Sequence, residues 1–181
     1  MVHLKIRKAS KQDIEGVAKV YVDGWKTTYR GLVPDQYLDK LSYKEAEKRW
    51  NQFLDKENES FIYVAMNDKE KIVGFASGRS IEEKHFTGEL YALYLLQDCR
   101  GFGVGRQLLS AVARHFKESG IHSILVWVME QNKSGLGFYK RMSGKEYIRR
   151  TSTFGETVVD DVAYGWNDIS VLYDTELNKT N

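Results

Sequence analysis

The sequence predicts a single α+β domain: a mixed, mostly antiparallel central sheet flanked by helices. Hydrophobic periodicity gives the order βααβββαβαββ, which lacks the regular strand-helix alternation of a doubly wound α/β fold. Two pairs of β-rich runs are joined by short turns, as in hairpins. Between them lies a long apolar run that ends in a glycine-rich turn and a helix, the arrangement of a central strand feeding a loop.

Two N-terminal elements follow from local patterns. Leu4 and Ile6 alternate with basic residues, which is the period of a half-buried strand. Ser10 and Asp13 have the spacing of a capping box, and apolar residues recur after them at helical spacing. The first helix is predicted to stop at Gly24, a residue type favoured just beyond helix ends.

The next stretch, residues 25–31, shows neither period and contains Trp25 and Tyr29. An aromatic loop of this kind either closes over a pocket or packs its side chains into the hydrophobic core, and both interpretations stay open here. Pro34 begins a short helical pattern. Ser42, with a glutamate three positions on, forms a second capping box before a longer helix.

The middle of the chain is predicted to contain three strands followed by a helix. Residues 61–66 and 72–77 read as a hairpin. Residues 88–96 form a strand that is apolar on both faces and therefore central in the sheet. An amphipathic helix follows over residues 104–116 and ends by Gly120.

The last part of the domain begins with a buried strand, residues 124–128, and a short helix from about residue 133 to residue 142. A final hairpin is predicted from residues 147–153 and 157–166, turned at Gly155. The domain is expected to cover residues 1–168, and residues 169–181 form a mostly polar C-terminal tail.

Composition excludes several classes of protein. The chain has 181 residues, enough for one domain, and its 27 basic and 25 acidic residues leave a net charge of only +2, which argues against a nucleic acid partner. Its one cysteine, Cys99, cannot form an internal disulfide. The N-terminus lacks the apolar core of a signal peptide, and no run is long enough to span a membrane. We expect a cytoplasmic protein without membrane attachment.

The glycine-rich turn carries the clearest functional signal. Gly101, Gly103 and Gly105 allow positive φ and close approach of a ligand to the backbone. They open into a helix N-terminus, whose N–H groups lack intrahelical partners and whose dipole is positive. Arg100 and Arg106 add charge that can pair with phosphate oxygens. The segment is therefore predicted to bind a phosphate or pyrophosphate.

Other glycine-rich motifs fit less well. Walker A requires Lys and Ser or Thr after the last glycine, whereas Arg106 and Gln107 follow here. The dinucleotide fingerprint requires a wider glycine spacing and a distant acidic residue, and both are missing. The RNA-recognition motif also begins with Arg-Gly-Phe-Gly, but it continues with aromatic residues on a strand, which Val104 and Gly105 do not provide.

The turn resembles the acetyl-CoA loop of the GNAT superfamily of N-acetyltransferases, whose pattern is Arg/Gln-x-x-Gly-x-Gly/Ala between a strand and a helix. Arg100, Gly103 and Gly105 fill it. Asn132 and the segment Gly-Phe-Tyr-Lys-Arg-Met at residues 137–142 resemble a second family motif. The family's alanine, its closing Gly-Phe and its usual proline after the fourth strand are not kept, which leaves local loop geometry open. The resemblance covers nearly the whole chain and implies the family's fold.

It also implies a cofactor site for acetyl-CoA. In the family, a backbone N–H at the end of the central strand polarises the thioester carbonyl, and by alignment that donor belongs to Leu95 or Leu96. Asn132 would bind the pantetheine arm or hold two strands apart, and it is equally a helix N-cap. The predicted cofactor-binding residues are Leu95, Leu96, Arg100, Gly101, Phe102, Gly103, Val104, Gly105, Arg106 and Asn132.

Two residues are catalytic candidates. Glu89 begins the central strand and by alternation shares a face with Tyr91, Leu93 and Leu95, so it is a candidate base for removing a proton from an amine. A charge at a strand end that faces solvent is the alternative. Tyr139 stands where the family often has a tyrosine that protonates the departing CoA sulfur, and it is equally a packing aromatic.

The acceptor is less well defined by the sequence. Trp25, Tyr29 and Asp160 are candidate substrate-binding residues, and Asp160 with Asp161 would attract a polyamine or a peptide N-terminus. Acidic residues are equally expected on an exposed hairpin that has no role in binding. The four histidines show no metal-ligand spacing, so no metal is predicted.

Together these features predict an acetyl-CoA-dependent N-acetyltransferase that moves an acetyl group to a primary amine by direct attack in a ternary complex. The amine would be a small molecule, a polyamine or a peptide N-terminus. The alternatives are a non-catalytic acyl-CoA-binding regulatory module and an RNA-binding module. Homodimerisation is common in the superfamily and is expected only on that ground.

Overall fold

The computed structural model describes residues 4–56 and 59–173. In these residues the strands are β1 (Lys5–Lys8), β2 (Ser60–Met66), β3 (Ile72–Ser80), β4 (Gly88–Leu95), β5 (Ile124–Met129), β6 (Lys145–Phe154) and β7 (Thr157–Trp166). The helices are α1 (Ile14–Thr28), α2 (Asp35–Asp39), α3 (Tyr43–Leu54), α4 (Val104–Glu118) and α5 (Lys133–Arg141). The predicted order is confirmed, except that the short helical pattern predicted after Pro34 forms a separate helix, the five-residue α2, in addition to the two helices that the order counts before β2.

The described strands form one seven-stranded sheet in the order β1-β2-β3-β4-β5-β7-β6. Strand β4 lies in its centre, as its apolar sequence predicts. The pairing of β4 with β5 is parallel, and the other neighbouring strands pair in antiparallel fashion. The predicted α+β class, with a mixed and mostly antiparallel sheet flanked by helices, is therefore confirmed.

Helices cover both faces of the sheet. One hydrophobic cluster joins the sheet to α1 and α3, with Trp50, Phe75 and Ile62 among its fully buried members. A second cluster joins the opposite face to α4 and α5, with Leu108 and Phe116 at its centre. The two layers fix the sheet from both sides, so the cavities described below are held between rigid elements.

Helix α1 is longer than predicted. It continues through Gly24 for one more turn and ends at Thr28, so Trp25 lies in the helix and Tyr29 is its C-cap. Gly24 is required for packing instead of for a cap, because a Cβ at this position would lie 3.0 Å from Cδ1 of Tyr94. The absence of a side chain lets α1 approach β4 closely at this point.

The predicted caps are present at the starts of α1 and α3. The Ser42 hydroxyl accepts a hydrogen bond from the Glu45 N–H at 3.2 Å. Asp13 is buried, accepts from the Ser10 N–H at 2.8 Å, and accepts two hydrogen bonds of 2.8 Å from the Arg7 guanidinium. This bidentate pair ties β1 to the start of α1.

Strand β4 contains a bulge that changes which residues share a face. Ser77 pairs with Ala92 and Gly78 with Leu90, so Tyr91 is an extra residue on β4. Tyr91 and Ala92 consequently face the same side, towards α3 and α1.

The bulge corrects the predicted alternation for Glu89. Glu89 shares its face with Tyr91, as predicted, but Leu93 and Leu95 pack on the opposite side, against the cluster that includes α4. Strict alternation fails here because one bulged residue reverses the faces of everything that follows it.

The first residues of the predicted tail pack on the domain. Ile169 and Leu172 are buried against the α4 side of the sheet within a short 3₁₀ helix, whereas Val171 is exposed. Residues 174–181 of the predicted tail lie outside the described residues. The boundary between residues 168 and 169 stays a prediction. In the described part of the chain, no helix combines the length and apolar character that a membrane-spanning segment needs.

The Arg7–Asp13 pair, of which the Asp13 carboxylate is buried, generates a prediction for stability. Asp13→Asn removes the charge that accepts three short hydrogen bonds, and we expect the free energy of unfolding to fall by about 1–3 kcal/mol at neutral pH. Asp39→Asn is the control, because Asp39 pairs with Arg30 on the surface, and such pairs contribute about 0–1 kcal/mol. Urea unfolding of both variants measures the difference.

The same variant predicts a pH dependence. The hydrogen bonds from Arg7 lower the pKa of Asp13. A lowered folded-state pKa stabilises the protein above the unfolded value of about 3.9 and loses that contribution as pH falls through the folded value. The gap between the wild type and Asp13→Asn should therefore shrink between neutral pH and about pH 3. A gap that stays constant over this range would contradict the role of the Asp13 charge.

Candidate active site

Strands β4 and β5 separate partway along their length and leave a cleft. They pair over Gly88 to Leu90 on β4, and the last pair joins Leu90 to Val126. Beyond it lies a cleft of about 430 Å³, walled by the rest of β4 and β5, the glycine-rich turn and α5. Among the described residues its lining contains three arginines and no carboxylate. A cleft of this charge suits a phosphorylated ligand.

The glycine-rich turn has the backbone that its sequence predicts. Gly101 and Gly103 have φ of 84° and 80°, a region that residues with a Cβ rarely adopt. Gly103 is the N-cap of α4, and the first α4 backbone bond runs from the Gln107 N–H to the Gly103 carbonyl. The N–H groups before Gln107 thus lack intrahelical partners and point along the helix axis towards the cleft end.

Gly105 differs from the other two glycines. It lies within α4 and is not among the glycines with positive φ. A Cβ there would lie 3.3 Å from the Phe138 ring of α5, so a side chain would crowd the contact between the two helices. The RNA-recognition interpretation requires this segment on a strand, and the segment lies instead in a turn and the first turn of α4.

Three arginines border the cleft. The Arg100 guanidinium donates to the Thr28 hydroxyl at 3.1 Å and to the Leu95 carbonyl at 3.4 Å, so it joins the end of α1 to the end of β4. Arg106 and Arg141 also line the cleft. The sequence interpretation missed Arg141. Its signal was the spacing of three residues from Phe138, which places both side chains on one helical face.

The geometry distinguishes between the two candidate backbone donors. The Leu96 N–H donates to the Val73 carbonyl at 2.9 Å, so it is used in the sheet, and Leu96 does not line the cleft. Successive N–H groups of a strand point to opposite edges. The Leu95 carbonyl faces the cleft side, where it accepts from Arg100, and its N–H points the same way. Of the two alternatives the geometry therefore favours Leu95, and its role as the donor stays a prediction.

Two other predicted cofactor residues lie in contrasting places. Phe102 is 66% exposed and is not part of the cleft wall, so its predicted part in cofactor binding stays a prediction. Its side chain leaves the turn because the glycines on both sides hold the backbone in left-handed conformations. Val104 lines the cleft from below, and it is also part of the core against β4 and β5.

Asn132 lines the cleft and caps α5. Its side-chain carbonyl accepts from the Gly135 N–H at 3.0 Å, which is an N-cap contact. Its side chain also interacts with the Tyr29 phenol in the cleft wall. Both interpretations of Asn132 in the sequence are thus compatible with one position.

Three tyrosines surround the middle of the cleft: Tyr29 and Tyr139 are buried, and Tyr94 is half-buried. Burial raises the pKa of Tyr29 and of Tyr139, and it raises the pKa of Tyr94 well above its ordinary value. These phenols therefore keep their protons at neutral pH. Tyr139 lies at the back of the cleft in α5, where its ring also packs against Trp166 at a centroid distance of 6.0 Å.

A second cavity, of about 270 Å³, lies on the α1 and α3 side of β4. It shares five wall residues with the cleft, namely Tyr29, Tyr91, Ala92, Tyr94 and Trp127. The two cavities consequently meet across β4 where β4 and β5 have separated. We call the second cavity the acceptor pocket.

Glu89 is buried in the wall of the acceptor pocket, at the bulged end of β4. Two nitrogens of Arg79 contact the same carboxylate oxygen, Oε2, each at 2.9 Å. The Arg79 guanidinium itself lies 4.5 Å above the Tyr91 ring. The described contacts leave the other oxygen, Oε1, able to accept a proton from a group bound in the pocket.

Trp25 and Tyr29 both line the acceptor pocket. Their rings lie 4.4 Å apart, and the Trp25 ring is 5.8 Å from that of Phe154 on β6. Both side chains also pack in a small cluster with Val33, Leu38 and residues of β5 and β7. The pocket and the packing interpretations therefore both describe these residues.

The acidic residue of β7 that lines the pocket is Asp161 and not Asp160. Asp160 is exposed, whereas Asp161 lines the acceptor pocket, accepts from Ser152 Oγ at 2.6 Å and pairs with Arg150 at 3.4 Å. Side chains alternate along β7, so only one of two successive residues can face the pocket. The structure therefore favours Asp161 over Asp160 as the residue of this pair that faces the pocket, and the role of Asp160 in substrate binding stays a prediction.

The sequence interpretation also missed Arg49 of α3, which lines the acceptor pocket and a neighbouring surface pocket. Its guanidinium donates to the Tyr21 hydroxyl at 3.0 Å. The signal was its spacing of three residues from the buried Ala46, which places it beside the buried stripe of an amphipathic helix.

Comparison with protein families gives one matching profile over most of the chain. The profile described as "Acetyltransferase (GNAT) family" matches residues 23–144. An uncharacterized N-acetyltransferase of Bacillus subtilis, YuaI, is 38% identical over 169 residues, covering 92% of this chain and 95% of the relative. A spermidine N(1)-acetyltransferase of Thermoplasma acidophilum is 27% identical over 139 residues, covering 75% of this chain and 84% of the relative.

Solved structures show the same fold. The crystal structure of the PaiA N-acetyltransferase of Thermoplasma acidophilum in complex with coenzyme A superimposes with a TM-score of 0.70 at 24% identity. The match covers 90% of this chain and 98% of that one. This likeness supports the fold, and the chemistry rests on the residues described above.

The turn generates a prediction for ligand binding. Gly103→Glu places a negative charge beside the N–H groups of α4, and we expect it to abolish the rise in thermal midpoint that acetyl-CoA causes in the wild type. A ligand at one hundred times its Kd stabilises by about 2.7 kcal/mol, which is readily measured. Gly120→Glu is a matched control, because Gly120 has φ of 78° with open space around it but lies at the far end of α4.

Both variants force a side chain into a left-handed backbone conformation, so both should lower the midpoint of the free protein. Only Gly120→Glu should keep the full rise with acetyl-CoA. An equal rise in both variants would contradict the assignment of the turn as the phosphate site.

Proposed function

Since this chain belongs to the GNAT family of acetyltransferases, we propose that it transfers the acetyl group of acetyl-CoA to a primary amine by direct attack in a ternary complex. The observation that carries the proposal is the meeting of two cavities across β4. One has an arginine-bordered glycine turn, and the other has a buried carboxylate. A thioester and an amine bound in the two cavities would meet without either leaving its site, as direct transfer requires.

The cleft has the donors that acetyl-CoA requires. The N–H groups of Gly103 and Val104, with Arg106 and Arg141, would bind the phosphates. The amide of Asn132 would donate to the pantetheine arm. Bound acetyl-CoA supplies an acetyl group activated as a thioester. The Leu95 N–H would donate to the thioester carbonyl and stabilise the negative charge that grows on its oxygen during attack.

Glu89 would serve as the general base. A primary alkylamine is mostly protonated at neutral pH and has no lone pair for attack. Oε1 of Glu89 takes that proton, directly or through a water molecule, and the nitrogen lone pair then forms the C–N bond. The Arg79 contact to Oε2 fixes the carboxylate without using the oxygen that reacts.

Tyr139 would serve as the general acid. As the C–N bond forms, the C–S bond breaks and its electron pair leaves with the sulfur. The Tyr139 phenol, kept protonated by burial, donates its proton to that thiolate. The newly bonded nitrogen releases its second proton, which returns to the Tyr139 oxygen directly or through water and leaves a neutral amide and the free thiol. Glu89 borders the acceptor pocket and Tyr139 borders the cleft. The proposed base and the proposed acid would therefore lie on opposite sides of a thioester carbonyl bound between the two cavities.

This proposal gives a test of Glu89. We expect Glu89→Gln to lower kcat by about 10²- to 10⁴-fold near neutral pH, with a smaller loss at high pH, where the amine loses its proton unaided. Glu130→Gln is the control, because it breaks an exposed pair with Arg149 and does not lie in either cavity. Thiol release with acetyl-CoA over a range of pH measures both. Equal activity of Glu89→Gln and the wild type would favour the non-catalytic acyl-CoA-binding alternative or a different base.

Tyr139 is tested in the same assay. Tyr139→Phe removes the proton donor and keeps the ring that packs on Trp166, so kcat should fall by about 10²-fold or more while acetyl-CoA binding is unchanged. Tyr147→Phe is the matched control, because Tyr147 lies on the surface strand β6 and outside both cavities. A fall in acetyl-CoA affinity with unchanged kcat would assign Tyr139 to binding alone.

A further inference from the structure

The charged side chains that line the acceptor pocket do not all have a partner of opposite charge. Each of its two carboxylates already contacts an arginine. Glu89 contacts Arg79 at 2.9 Å, and Asp161 contacts Arg150 at 3.4 Å. The Arg150 guanidinium is further held 3.9 Å above the Trp127 ring. These two pairs leave the pocket with little unbalanced negative charge.

Arg49 is the exception. Its hydrogen-bond partner is the Tyr21 hydroxyl at 3.0 Å, and within residues 4–56 and 59–173 no carboxylate lies at ion-pair distance from it. Burial raises the pKa of Tyr21 to about 12, so the phenol is neutral and does not balance the guanidinium. The unbalanced charge of the described pocket is therefore positive and lies on α3.

One further donor of the wall has no partner. The indole N–H of Trp50 is buried without a hydrogen-bond acceptor in the described part of the chain, whereas the Trp25 indole interacts with the Tyr94 phenol. Unsatisfied buried groups are rare in native proteins and point to a missing partner. Arg49 and Trp50 are both donors, so the group that would satisfy them is an acceptor of hydrogen bonds.

From this pattern we infer that the acceptor is a small zwitterion, an amine that also bears a carboxylate, with the free α-amino acids as the chemical class. Its carboxylate would bind Arg49, and its amine would face Oε1 of Glu89 near the junction of the two cavities. This inference rests on the proposed function and names its substrate class. The aromatic wall of Trp25, Tyr37 and Phe154 favours an apolar side chain.

A polyamine fits the same pocket less well. Each of its several ammonium groups needs a carboxylate or a carbonyl, and both carboxylates of the pocket are already paired. An additional cation would also approach Arg49, which like charge disfavours. The spermidine acetyltransferase among the relatives therefore does not predict the acceptor of this chain.

The test compares each acid with its own carboxamide. L-Leucine, L-methionine and L-phenylalanine, their carboxamides and spermidine are offered to the wild type with acetyl-CoA, and kcat/KM is measured by thiol release and confirmed by mass of the product. The carboxamide keeps the side chain and the amine but loses the negative charge. We expect the acids to be preferred at least tenfold.

Arg49→Gln then tests the assignment. Loss of a charged hydrogen bond costs about 1.5–3 kcal/mol, so kcat/KM for the acids should fall by about 10- to 100-fold, while that for the carboxamides should change less than about threefold. Lys48→Gln is the matched control, because it removes the same charge from the adjacent residue of α3, which does not line the acceptor pocket.

The outcomes separate this inference from the proposed function. Equal use of acids and carboxamides, use of spermidine alone, or an equal effect of Arg49→Gln on all acceptors would overturn the zwitterion inference and leave N-acetyl transfer standing. Acetylation of no amine in the panel would overturn both. A selective loss of the acids in Arg49→Gln, with Lys48→Gln unchanged, would support the inference.

Discussion

The limited pairing of β4 and β5 is the constraint on which the rest of the molecule depends. Parallel neighbours in the middle of a sheet normally pair along their length, because unpaired backbone groups are costly when buried. Here the pairing ends with Leu90 and Val126, while β4 continues to pair with β3 and β5 continues to pair with β7. The backbone groups that face the gap are therefore available to a ligand. The cleft is a consequence of strand pairing, and surface loops only complete it.

Two packing features keep the strands apart. On one side Tyr94 contacts Gly24 of α1 and stacks edge-on with Tyr21 at 5.4 Å, which holds the end of β4 towards α1. On the other side Phe138 of α5 packs against Gly105 of α4, so the two helices meet behind the gap. Larger residues at either glycine would push these elements into the space that the ligand requires. The glycines are therefore part of the site although they do no chemistry.

Most of the fold could be predicted from local pattern, and the site only in part. Apolar period, capping residues and the glycine turn specify each strand and helix within a few residues, because these signals act over one or two turns of chain. Whether Glu89 and Leu93 lie on the same face of the sheet depends on the bulge in β4. The bulge arises from the pairing of β4 with β3, so the sequence of β4 alone does not predict it. From the sequence alone, Gly24 predicts a helix end. Its contact with Tyr94, which explains why a glycine lies there within α1, is known only from the structure. In the sequence, Arg49 and Arg141 have the pattern of ordinary surface residues. Only the folded structure shows that each of them borders a cavity.

The distribution of charge explains why transfer would occur where the cavities meet. The described wall of the cleft has arginines near the glycine turn, and the acceptor pocket has Arg49 at its rim, while the shared wall is formed by Tyr29, Tyr91, Ala92, Tyr94 and Trp127. An ammonium group that enters this aromatic region loses hydration, and desolvation lowers the pKa of an amine. Desolvation therefore favours the neutral amine, and Glu89, in its proposed role as the base, would accept the proton that the amine loses. The thioester is uncharged and loses little on entering the same region, so the junction favours the two neutral reactants over the charged form that cannot react.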